Sequence, residues 1–216
     1  HEDIEKVDAL YQRVLKIAQG ASLMTETEVE VIWDSACYDL LANEKLSQVL
    51  YDKTEALLGD FPKDDYQHAK AYPKDDDSVF LSRLKRFYPD MSDEELLTIS
   101  EKAINTKIAE FSVGSRGYAS TDVGDVSWNA PTSQIYIPCQ PHGTSMHSWQ
   151  WVSNGVSDFA HRGMLKAAEI LAETAIEITQ DKELLKAIKD EFKNQTKHRF
   201  YHPVIPKEVK PRQGLS

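Results

Sequence analysis

Only two cysteines occur in 216 residues, Cys37 and Cys139, far apart and in strand-like surroundings. That excludes a disulfide scaffold and reads as reduced core thiols. No apolar run approaches the roughly 20 residues that cross a bilayer, so a membrane span is not expected. The first residues carry helix-like charge instead of a basic and then apolar leader, which points to the cytoplasm. Basic residues are also short: 25 Lys and Arg stand against 35 Asp and Glu, a formal charge of -10. With no basic stripe interleaved with aromatics, a nucleic-acid partner is not expected. No Gly-x-Ser-x-Gly, His-Glu-x-x-His or Cys-x-x-Cys pattern occurs, nor any repeat or low-complexity tract.

What is present suffices for a sizeable core, since 41% of the residues are apolar. Ile4, Val7, Leu10, Tyr11, Val14 and Ile17 fall at helical spacing, from a start that shows no cap. Alternation around Val29, Val31 and Trp33 predicts a strand reaching Leu41. Asn43 is a candidate cap for a helix that Gly59 follows. Residues 60–77 are polar, contain Pro62 and Pro73, and read as a surface insertion. The acidic runs Asp64-Asp65 and Asp75-Asp76-Asp77 read as solvated surface, with weak divalent-ion binding the alternative. A short helix is expected over 79–87, and Ser92 with Glu95 forms a capping box for a helix reaching about Ile108. Ile135 to Ile137 reads as a strand, an alanine-rich helix runs from Ser157 to about Thr179, and another follows Asp181. Strand, loop and covering helices suggest an α/β layer arrangement.

Chemistry concentrates in loops. A flexible stretch with Gly114, Ser115 and Gly117 leads to Ser120, Thr121 and Asp122, which either hold a substrate carboxylate or simply turn the chain. Gly143 and Thr144 lead to His147, placed where a strand gives way to a loop and with Trp149 as an aromatic wall. That imidazole is either a metal ligand or a hydrogen-bonded core histidine. His142 is five residues away and completes no ligand pattern. His161 caps its helix or lines a cleft, and the structural role is the preferred one.

Four segments carry a resemblance: Ala21-Ser-Leu-Met-Thr-Glu-Thr27, Ser120-Thr-Asp-Val-Gly-Asp-Val-Ser-Trp128, Gly143-Thr-x-x-His147-Ser-Trp-Gln150 and Ala160-His-Arg-Gly-Met-x-x-Ala-Ala168. In order they resemble the aminobenzoyl-glutamate utilisation protein B group, of the aminoacylase and carboxypeptidase family of dinuclear metallopeptidases. The resemblance implies an α/β mixed-sheet catalytic domain with an inserted α+β lid that also dimerises. Residues 1–42 would be the closing helix and strand of the lid, and 43–216 the C-terminal part of the catalytic domain, with a polar insertion at about 60–90. His147 falls on the family's last metal-ligand position, and Ser120, Thr121, Asp122, Gly143 and Thr144 lie in loops expected near substrate. The loop departs from the usual form at Ser145 and Met146.

Also implied are two divalent ions, zinc or manganese, that activate a water for amide hydrolysis of N-acyl or N-aroyl amino acids such as p-aminobenzoyl-glutamate. Most metal ligands and the general-base glutamate belong to an N-terminal part that this sequence lacks, so the chain alone is expected to be inert. A homodimer or a heterodimer with an A-type subunit is the expected assembly. The alternative is a truncated, non-catalytic paralogue acting as an interaction or dimerisation module.

Overall fold

The computed structural model describes residues 1, 3–74, 77–112 and 120–210. Nine helices are found among them: α1 (Ile4–Thr25), α2 (Glu44–Leu57), α3 (Lys63–Lys70), α4 (Asp77–Phe87), α5 (Asp93–Ser100), α6 (Val123–Ser127), α7 (Trp149–Asn154), α8 (Asp158–Gln180) and α9 (Lys182–Thr196). Pairing of extended chain is confined, among the described residues, to one isolated parallel bridge between Ala42 and Thr132. The mixed-sheet α/β expectation is therefore wrong for this structure, which is helical. Both expected strands, 28–41 and 135–137, are present as irregular chain. Alternation of apolar residues equips a segment to pair but supplies no partner for its ladder groups.

The chain divides into two compact units. His1–Asn43, Val113–Thr132 and Ile188–Ser216 form one; Glu44–Ser112 and Ser133–Ala187 form the other. In the first unit, α1 does have a cap, contrary to expectation: the Asp3 carboxylate accepts from the Glu5 N–H at 2.9 Å. The first turns of α1 join a cluster of Ile4, Tyr38 and Trp128, flanked by Val7, Leu41, Tyr201 and Val204. Leu10, Val14 and Ile17, read from their spacing as the buried face, are exposed. Their spacing marks a face; burial requires something to cover it.

The first unit replaces most of the missing ladder with side-chain partners and keeps one backbone bond. The Tyr38 N–H donates to Asp125 at 3.2 Å, the Leu41 N–H to the Ser127 hydroxyl at 2.8 Å, and the Asn43 N–H to the Thr132 carbonyl at 3.2 Å. Trp128 donates from Nε1 to the Asp39 carbonyl at 2.7 Å. Segment 38–43 is thus held in extended form on α6 without being part of a sheet.

The second unit is built on α8. It begins near the expected Ser157, which serves as its cap: the Ser157 hydroxyl accepts from the Ala160 N–H at 3.1 Å. Helix α2 packs along α8, and Lys53 pairs with Glu177 at 2.7 Å between them. Gly59, at φ +55, follows the end of α2 as expected. The small residues of α8 permit the close approach anticipated for them, although what approaches is irregular chain: a Cβ on Gly163 would lie 2.4 Å from the Pro138 carbonyl oxygen.

Residues 60–77 are not only a surface insertion. They contain α3, and Phe61 and Ala69 join Ala103, Ile104 and Phe159 in the core. Asp65, expected to be solvated, is buried and forms a two-pronged ion pair with Arg162, one prong being Nε to Oδ2 at 2.7 Å. Asp75 and Asp76 of the other acidic run lie outside the described residues.

Helices α4 and α5 pack through Phe80, Leu84, Leu96 and Ile99. The capping box at Ser92 and Glu95 forms as expected, yet α5 stops at Ser100, well short of Ile108. Beyond that end Asn105 turns the chain away from a helical path: its side chain accepts from the Lys107 N–H at 3.1 Å and donates to the Tyr88 hydroxyl at 3.0 Å. An Asn that bonds its own neighbouring backbone favours a turn over a helix. Among the described residues no helix is long and apolar enough to cross a membrane.

Candidate functional site

The residues singled out from sequence fall in two loops, one in each unit. In the first unit, Ser120, Thr121 and Asp122 are exposed and lead into α6. Thr121 performs the turn role: its hydroxyl accepts from the Val123 N–H at 3.3 Å and its carbonyl from the Gly124 N–H at 3.2 Å. Asp122 occupies the cap position of α6 without a side-chain cap bond. The preceding Gly114, Ser115 and Gly117 lie outside the described residues.

Sequence reasoning missed the work of the rest of that motif. Asp125 accepts from the Tyr38 N–H and, at 3.0 Å, from the Tyr201 hydroxyl. Ser127, fully buried, donates to the Gly124 carbonyl at 2.6 Å while accepting from Leu41. The Arg199 guanidinium lies 4.4 Å from the Trp128 ring centroid and pairs with Asp39 at 3.5 Å. Gly124 through Trp128 therefore form a clasp that fastens segment 38–41 and the 199–202 tail. A signal did exist: a Gly, an Asp, a Ser and a Trp within five residues supply an approach point, two acceptors and an indole donor.

In the second unit, Gly143, Thr144 and His147 share the loop 141–148. Gly143 adopts φ +88, conformational space that favours glycine. The stem of Lys74 covers it: an added Cβ would meet that side chain at 3.1 to 3.3 Å. Thr144 Oγ1 is buried and has no hydrogen-bond partner among the described residues. A buried hydroxyl of this kind takes its partner from outside the described residues, a water or a bound group.

His147 is exposed and takes φ +59, strained for a residue with a Cβ. Its ring lies 6.1 Å from that of Trp151, whereas Trp149, the expected wall, is 71% exposed. Directly behind it, the Ser148 hydroxyl donates to the Ser145 carbonyl at 2.7 Å and accepts from the Trp151 N–H at 3.3 Å, capping α7. At the far end of α7, fully buried Asn154 donates to the Cys139 carbonyl at 2.6 Å and accepts from Ser157 at 3.2 Å.

The half-buried histidine of this loop is His142. Its ring packs edge-on against Phe80 at 4.6 Å, and Nδ1 lies 3.3 Å from the Lys102 carbonyl, so it is the Nδ1–H tautomer that donates there. Burial pushes its pKa down from 6.5 to about 4; the bond to Lys102 opposes the shift and the Lys74 charge adds to it. The unfolded chain takes up this proton first as the pH falls, near 6.5, and the folded chain only near about 4. Stability from the neutral ring is thus fully present above pH 6.5 and drains away between 6.5 and about 4. In urea titrations across that window, His142→Asn is expected to lose less stability than the wild type, and parallel pH curves would exclude the assignment. His161 is exposed in the first turn of α8.

On its own, this donor set does not fit a two-ion centre. His147 contributes one imidazole, and among the described residues no three His, Cys, Asp or Glu side chains gather into a metal-holding group. The two cysteines are free and half-buried, and burial pushes the Cys139 thiol pKa up, the environment of an inert thiol.

The chain is 34% identical over 215 residues to the B-type subunit of p-aminobenzoyl-glutamate hydrolase from Escherichia coli (strain K12). It is similar to a hydrolase subunit. The match takes in 97% of this chain and 45% of that protein, so the chain spans less than half the length of its relative. Coverage of that extent runs through both units and is not confined to one motif. No protein-family model matches the chain, and no solved structure does. Similarity to this hydrolase bears on both loops and on the α6 clasp alike, and the clasp shows that part of the motif serves architecture.

Proposed function

We propose that this chain is part of an amidohydrolase that cleaves N-acyl or N-aroyl amino acids, p-aminobenzoyl-glutamate being the reference substrate. The observation that carries the reading is the 34% identity to the B-type subunit of p-aminobenzoyl-glutamate hydrolase along 97% of the chain. The exposed imidazole of His147 and the unpartnered hydroxyl of Thr144 in one loop lend it support.

In this reading the enzyme belongs to the dinuclear metallopeptidases, and His147 offers one donor to a divalent ion, zinc or manganese. The other donors and the general base belong to polypeptide outside this chain. Thr144 then hydrogen-bonds the substrate from the floor of the loop, while Ser120, Thr121 and Asp122 remain exposed polar groups of the first unit. The chain by itself is inert, and its partner is a second subunit, as the name of the relative suggests for that protein.

Complete protein carrying His147→Ala is expected to release p-aminobenzoate roughly 100-fold more slowly or worse and to bind less metal. Unchanged rate with unchanged metal content would remove His147 from the site. A complete wild-type protein with no activity on N-acyl glutamates would defeat the whole reading.

A further inference from the structure

We propose that His142 is a positioning residue, a clamp that ties the front of the loop 141–148 to the chain just past α5, at Lys102 and Ala103, and so sets where Thr144 and His147 stand. The inference deepens the hydrolase reading and rests on it for its catalytic part.

A helix end leaves carbonyls without intrahelical partners. At the end of α5 the Ser100 carbonyl is one of these, and the carbonyls of Lys102 and Ala103 follow just past the helix. Lys74 donates from Nζ to the Ser100 carbonyl at 2.5 Å, the His142 N–H donates to the Ala103 carbonyl at 2.8 Å, and the His142 ring faces the Lys102 carbonyl at 3.3 Å. His142 thus makes two attachments, one from backbone and one from side chain, and its ring is wedged on Phe80 of α4. Immediately downstream the chain turns through Gly143 at φ +88, and the Thr144 N–H closes the turn on the Pro141 carbonyl at 3.1 Å.

The rear of the loop is fixed separately, by Ser148 on α7. His147 sits between the two fixings in a strained conformation that a free loop would not retain. Burial and neighbouring charge favour the neutral ring in the clamp, outweighing the carbonyls of Lys102 and Ile99, which favour the protonated one. The charged groups about it are cations: Lys74, whose stem crosses Gly143, Lys102, and Arg83, whose guanidinium lies 5.7 Å from the Phe80 ring centroid. A proton on His142 would place a further positive charge among them.

The test compares wild type, His142→Ala and His142→Asn, whose side-chain amide can donate to the Lys102 carbonyl as Nδ1–H does. Amide exchange in the whole chain is expected to speed up about tenfold at 143–148 in the alanine variant, with α2 and α8 unchanged, and to return toward wild type with asparagine. Wild-type loop exchange, corrected for its intrinsic pH dependence, should rise as the pH approaches about 4, and the asparagine variant should show no such rise. In complete enzyme the alanine variant should lose kcat with little change in KM, and asparagine should restore it. Exchange at 143–148 unchanged by alanine, or raised equally throughout the unit, overturns the clamp. Complete wild-type protein without hydrolase activity would instead sink the hydrolase reading, and the exchange data would still decide the clamp.

Discussion

Phe159→Ala is expected to destabilise the second unit by about 4 kcal/mol, the middle of the range for emptying an aromatic site in a packed core. Phe159 is 1% exposed, and its ring meets Phe61 edge-on at 5.2 Å. Around it stand Ala69, Ala103 and Ile104, contributed by α3 and by the chain beyond α5. Two of these neighbours are alanines, with no side-chain length to swing into a void, so little of the cavity can collapse. The position is also the second residue of α8, where the Ser157 cap holds the backbone in place. Urea unfolding should show a lowered midpoint with an unchanged slope. A loss below about 1 kcal/mol would mean that this cluster is not the unit's core.

Gly124→Ala should be nearly as damaging, at about 3 kcal/mol, and by a different route. An added Cβ would stand 2.0 Å from the Tyr38 carbonyl oxygen and 2.9 Å from its carbon. Those are backbone atoms, which cannot rotate away. If α6 and segment 38–41 separate to relieve the overlap, the bonds from Tyr38 to Asp125, from Leu41 to Ser127 and from Trp128 to Asp39 are lost. At about 1 kcal/mol for each bond the cost is of the same size as the strain it relieves. Trp128 would then become solvated, and its fluorescence would shift to the red. Gly20 supplies the control, being a helical glycine with nothing within 4 Å of an added Cβ. Gly20→Ala should raise stability by roughly 0.5 to 1 kcal/mol. Equal effects at the two glycines would refute the clasp.

Local signals are legible wherever the deciding interaction is itself local. The capping box at Ser92, the start of the long helix at about Ser157 and the glycine after α2 each depend on residues within a turn or two, and all are found. Errors arise where the outcome depends on what lies opposite. Val29, Val31 and Trp33 alternate like a strand, yet among the described residues nothing pairs with them. Leu10, Val14 and Ile17 mark a face that lies open. Asp65 reads as solvated because Arg162, its counter-charge, is 97 residues away in sequence.

The candidate site divides in the same way. The sequence marks the loop that bears Gly143, Thr144 and His147 but points to the wrong one of its two histidines as the possible core residue. His147 is exposed, and His142, which completes no ligand spacing, is the one that burial and the Lys102 carbonyl engage. Likewise, in the motif from Ser120 to Trp128 the sequence reading gives a role, substrate contact or turn, only to Ser120, Thr121 and Asp122. Its second half instead supplies Asp125, Ser127 and Trp128 as partners for a distant extended segment.

From residues alone came the acidic charge, the absence of an apolar run long enough for a bilayer, and the positions of most helices with the capping box at Ser92. These follow from composition and from interactions along the chain, which any conformation of the neighbourhood preserves. Only the tertiary structure decided that 28–41 runs as irregular chain, that Asp65 is buried, and that His142 is the histidine packed against Phe80 and the Lys102 carbonyl. Each of those outcomes depends on a partner brought close by folding, and no spacing within the segment itself encodes whether that partner arrives.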